Sequence, residues 1–126
     1  VAGGFDAFMS VIGGPGYREV LTEALGADGL TRAERDSRYF FADEVPALMQ
    51  WTFDSSVAAR LTPPVLLIQG GNSADITHRL VTRLAGLLPH AEIATIDGDD
   101  HLFPQRNPDT LGHLVAQFAR RHTSPA

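Results

Sequence analysis

The sequence predicts an α/β fold in which two neighbouring parallel strands of a larger sheet follow a run of short helices. Three observations carry this. Val65-Leu66-Leu67-Ile68 and Ile93-Ala94-Thr95-Ile96 are apolar, β-branched runs of strand length, too short for buried helices. Between them Leu80, Val81, Leu84, Leu87 and Leu88 recur at helical spacing, which makes strand, helix and strand a βαβ unit with a right-handed crossover. Residues 1–61, upstream of the Thr62-Pro63-Pro64 boundary, hold helical patterns and no strand signal.

Taken in order, Phe5, Phe8, Met9 and Ile12 fall on one face of a first helix, which Gly13-Gly14-Pro15-Gly16 breaks. Val20, Leu21, Ala24 and Leu25 mark a second, with Gly26 placed to end it in a left-handed cap. Thr31 and Glu34 have the spacing of a capping box and predict the start of a third, running toward Tyr39-Phe40-Phe41. A fourth is expected from Asp43 to Pro46, where proline suits the first turn, and Asp54 is the expected N-cap of a short fifth. Downstream, Gly70-Gly71-Asn72-Ser73 reads as a turn and Pro89 closes the central helix. Asn107-Pro108 is expected to cap a last helix with an apolar stripe of Leu111, Leu114, Val115 and Phe118. Parallel strands covered on both faces need more strands than two, so the pattern asks for a missing N-terminal half as partner.

Composition narrows the function classes. The 126 residues carry a net charge of -5, and the ten basic residues are all arginine and scattered, so no basic stripe exists to neutralise phosphates. Nucleic acid is not an expected partner. No apolar run approaches the roughly 18 residues that would span a bilayer. Cysteine is absent, which removes thiol nucleophiles, disulfides and thiolate metal sites, and no cofactor is expected. The chain starts at Val1 rather than Met and so reads as processed or truncated, and because nothing in it has the features of a signal peptide a cytoplasmic location is favoured.

Ligands of open α/β sheets collect beyond the carboxyl ends of the strands, and two polar loops lie there. Gln69 to Thr77 leads into a helix and offers backbone N–H groups to an anion, or is simply a turn. Asp97-Gly98-Asp99-Asp100-His101 presents a histidine able to take a proton near neutral pH, or one that only hydrogen-bonds locally. His78, His90, His113 and His122 lack metal-ligand spacing and read as surface residues. Asp99 and Asp100 read as solvated loop charges.

The segment Pro64-Val65-Leu66-Leu67-Ile68-Gln69-Gly70, then Leu87-Leu88-Pro89-His90-Ala91, Ile96-Asp97-Gly98-Asp99-Asp100-His101-Leu102 and Asn107-Pro108, resembles the end of the α/β-hydrolase chain. The likeness covers residues 62–122. It implies that the fold is the C-terminal part of an α/β-hydrolase parallel sheet with a preceding helical cap segment: residues 1–61 the cap and 62–126 the end of the core. His101 would be the catalytic base of a serine-type hydrolase acting on an ester, amide or related small-molecule substrate. Trp51, Phe53 and Tyr39-Phe40-Phe41 would either line an apolar substrate pocket or pack the cap.

The sequence departs from that family at three places. The G-x-S-x-G nucleophile elbow and the oxyanion loop are absent from these residues. The position three after Gly70, where many relatives carry the triad acid, is Ser73; Asp75 or a residue upstream of Val1 are the alternatives. Asp43 and Glu44 read as helix N-terminal charges. A non-catalytic binding protein with a decayed triad is therefore the second reading, and a phosphate- or nucleotide-binding domain a third that lacks both the G-x-G-x-x-G fingerprint and any lysine.

Overall fold

Phe5 and Met9, one helical turn apart, are buried on the first helix, α1 (Ala2–Ile12), where the periodicity put them. In the computed structural model, which describes residues 2–123, they share burial with Tyr17, Val20, Leu21 and Leu30 of α2 (Tyr17–Tyr39) in the unit Val1–Phe53. The Phe5 and Tyr17 rings pack edge to face, 6.0 Å between centroids. Beside them the Tyr17 hydroxyl donates to Asp6, and Arg18 reaches both Asp6 (2.6 Å) and Glu34 (2.7 Å). Burying an apolar side chain contributes roughly 1.5–3 kcal/mol, whereas ion pairs as exposed as these contribute little. Burial therefore holds the helices together, and Arg18 sets how they meet.

Gly26 does interrupt the helix, with φ 72° and ψ 165°, a backbone region that side chains exclude, rather than the left-handed helical conformation expected. The helix resumes at once. Thr31 is inside it, donating to the Ala27 carbonyl (3.0 Å), and Glu34 is taken by Arg18, so the capping box does not form. Past Tyr39 the chain continues through a π-helical turn, Phe40–Glu44, closed by Val45 N–H on the Phe40 carbonyl, into α3 (Val45–Gln50). Pro46 accounts for the wider turn: it has no N–H for the Ala42 carbonyl, and its ring would crowd that carbonyl in a regular helix.

The unit Asp54–Ala126 begins with α4 (Ser55–Ala58), and Asp54 caps it as expected, accepting from Ser56 N–H (2.8 Å) and Val57 N–H (3.0 Å). Strands β1 (Leu66–Gly70) and β2 (Glu92–Ile96) pair in parallel, Leu66 opposite Glu92 through Gly70 opposite Ile96. Helix α5 (Asp75–Leu87) crosses between them; α6 (Phe103–Arg106) and α7 (Pro108–His122) follow. Asn107 precedes α7, but its side chain accepts from the Thr110 hydroxyl (2.7 Å) instead of capping the backbone. Glu92 at the start of β2 binds Arg121 and His122 (2.8 Å) at the end of α7.

The expected fold class, the C-terminal part of an α/β-hydrolase parallel sheet, does not hold. Of the described residues 66% are helical, and two five-residue strands make up the sheet, which leaves a small, mostly helical domain. The physical reason lies in the distribution of apolar residues. Strand-like runs occur twice, while most other apolar residues recur at helical spacing. Nor are the strands covered on both faces: Leu66 to Gln69 are half-buried, and Ile93 is 52% exposed.

Two predictions follow from the first unit. Gly26→Ala forces a side chain into a glycine-only conformation and is expected to cost about 1–3 kcal/mol in urea denaturation of the full chain. The Asp6 carboxyl is held below its ordinary range, mainly by the Tyr17 hydroxyl and then by Arg18, while burial and then Asp6 push the Tyr17 hydroxyl up. A depressed acid stabilises the fold above its unfolded pKa, and a raised phenol stabilises it below its own. Stability should therefore fall below pH about 4 and above pH about 10. Circular dichroism melts should show a shallower acid limb in Asp6→Asn and a shallower alkaline limb in Tyr17→Phe.

Candidate functional site

Because β1 and β2 run parallel, the loops that leave Gly70 and Ile96 emerge at the same end of the pair. They are bonded to each other. Gly71 N–H donates to the Ile96 carbonyl (2.9 Å), Asn72 N–H to the Asp99 carbonyl (2.8 Å) and the Asn72 amide to the Gly98 carbonyl (2.9 Å). Gly70 is what lets them approach: a Cβ there would stand 2.2 Å from the Asp100 carbonyl oxygen and 2.6 Å from that of Asp99. In the sequence this glycine read as part of a turn. It is the last residue of the strand, and its lack of a side chain is a packing requirement.

Asp99 and Asp100 are not free solvated charges. The Asp100 carboxylate accepts from Leu102 N–H (2.8 Å) and pairs with Arg106 (3.1 Å), and Asp99 accepts from the Asn107 amide (3.2 Å). Buried Leu102 and Phe103 anchor the loop just past the histidine. Sequence reasoning passed over Arg106 and Asn107 as loop partners. The available signal was a short helix starting at Phe103-Pro104, which carries Arg106 back over Asp100.

His101 stands exposed between these anchored neighbours, and none of the described residues hydrogen-bonds its ring. The shared strand end brings the loop bearing Ser73 and Asp75 to the His101 loop. It does not give the histidine an acid. Ser73 is 8% exposed and its hydroxyl is buried without a partner; Asp75 lies exposed in the first turn of α5. Asp43 and Glu44 belong to the π turn of the first unit, and Glu44 is the residue that leads into α3.

The remaining histidines have local roles or none. His78 is half-buried and meets Gln69 (3.0 Å), whose amide donates to Thr95 across the strands (3.2 Å). His113 contacts Gln117, His122 binds Glu92, and His90 is exposed. Among the described residues no group of three or more acidic or histidine side chains is placed to hold a metal ion, and no helix is long and apolar enough to cross a membrane. A cavity of about 300 Å³ opens at the other end of the strands, lined by Ala58, Leu61, Val65, Leu88 and Ala91 with Ser55 and His90 as its polar residues. It is remote from the loops that carry His101. Compared with known proteins, the chain matches no family model, no curated protein and no solved structure.

The loop contact is testable without knowing the reaction. Gly70→Ala should destabilise the second unit by about 1–3 kcal/mol, the usual cost of overpacking, since backbone rather than a pliable side chain is in the way. Amide hydrogen exchange should report the loss at Asn72 and Leu102, and unchanged protection at both would count against the close approach.

Proposed function

We propose that His101 is the general base of a serine-type hydrolase acting on an ester, amide or related small-molecule substrate, with the nucleophile supplied by residues outside this chain. The observation that carries the reading is an exposed imidazole, unengaged by described residues, on a loop fastened by Asp99, Asp100 and the Gly70 contact. A base must keep a lone pair available to the attacking hydroxyl while its backbone stays fixed, and this loop meets both demands.

A non-catalytic binding role is the second reading. It is favoured by Ser73, a hydroxyl where a carboxylate would steady the imidazolium, and by the lack of an acid on the His101 ring. Turnover by the protein carrying its nucleophile separates the two. His101→Ala should lower kcat by about 10⁴-fold or more with an unchanged circular dichroism spectrum. An equally active, folded variant would remove the histidine from the mechanism, and failure of a fluorophosphonate probe to label any serine of the wild type would favour binding.

A further inference from the structure

Gly26 divides α2 into two stretches, residues 17–25 and 27–39, and its φ of 72° with ψ of 165° is a conformation that glycine alone adopts freely. Gly29 makes the other half of the same joint. A Cβ there would stand 2.7 Å from the Leu25 Cβ, whereas residues four apart on a regular helix keep their Cβ atoms about 5–6 Å apart, so the chain folds in sharply on that side. Two glycines three residues apart thus supply both the unusual dihedral angles and the room they need.

What lies beyond the joint is held lightly. Of residues 27–39 Leu30 is buried, Gly29, Ala33, Glu34 and Ser37 are half-buried and the rest are exposed. The seam against α1 is incompletely filled. A cavity of about 280 Å³ is walled on one side by Phe5, Phe8 and Met9 of α1 and on the other by Ala33, Ser37 and Phe40, and atoms that face a void forgo dispersion contacts. Phe40 and Phe41 rest on Phe8 at the far end of the stretch. Among the described residues one ion pair crosses the joint: Arg18, in the stretch before it, reaches Glu34 beyond it at 2.7 Å while also binding Asp6 of α1 at 2.6 Å. Arg18 thus ties α1 and both halves of α2 together at one point.

We propose that residues 27–39 form a hinged arm that swings about Gly26 and Gly29, held closed on α1 by the Arg18–Glu34 latch, and that its opening lays bare the apolar seam beneath it. The device belongs to the first unit alone and does not depend on the role assigned to His101. Elements held by few buried contacts open locally at less cost than global unfolding, so the open arm is a minor state of the folded chain. The chain has no cysteine of its own, which allows spin labels to be attached to the full chain at chosen sites. Labels on Ser10→Cys of α1 and Arg38→Cys of the arm, both exposed positions, should give a main short distance and a minor longer one by double electron–electron resonance. Glu34→Gln should raise the longer-distance population about two- to fivefold, the range expected of an exposed ion pair. A reference pair on Ser10→Cys and Thr22→Cys, before the joint, should not change. Salt at 1 M, which screens such pairs, should raise the same population with Glu34 in place, so the test stands even if the Gln variant does not fold. A single distance that neither Glu34→Gln nor salt alters, or an equal change in the reference pair, would overturn the proposal.

Discussion

Because Gly70 has no Cβ, the carbonyls of Asp99 and Asp100 rest against the end of β1, and the second unit's loops are built around that contact. It brings Asn72 within reach of Gly98 and Asp99 and turns the chain so that Leu102 and Phe103 bury. Asp100 can then bind both Leu102 N–H and Arg106. A side chain at position 70 would set strand pairing against loop position, since the atoms in the way are backbone and cannot rotate aside.

The first unit is organised by burial, with polar groups setting geometry. Tyr17 illustrates the division: its ring is 3% exposed against Phe5, while its hydroxyl reaches the Asp6 carboxylate that Arg18 also holds. Pro46 acts in the opposite sense, through what it lacks. Without its N–H the helix widens by one residue, and Phe40 and Phe41 both come to rest on Phe8.

Much of the local structure was legible in the sequence. Apolar spacing located α1, α5 and α7, the two β-branched runs gave the strands, and Asp54 was recognisable as a cap because its preference arises within three residues. What could not be read depended on distant partners. Glu34 has the spacing of a capping box, yet an ion pair with Arg18 outcompetes that local bond. Asp99 and Asp100 looked solvated because Asn107 and Arg106 return to them only after a helical turn that forms in the folded chain. The larger sheet was inferred from two strands on the rule that parallel strands are covered on both faces, and half-burial of β1 shows that rule unmet within the described residues. For the site, the sequence singled out His101 and its loop, and the structure adds the loop's anchors without supplying an acid.

The parallel register has a consequence for how the second unit assembles. Every strand partner lies the same distance along the chain, as with Gln69 and Thr95, which are 26 residues apart. No strand hydrogen bond is available until a loop of that length has closed, and closure is repaid only after several bonds form together. Helix α5 occupies half of that loop and forms from local contacts on a timescale of about a microsecond or less. It thus acts as a strut, shortening the flexible span before the strands meet, so the order of folding is written into the crossover itself.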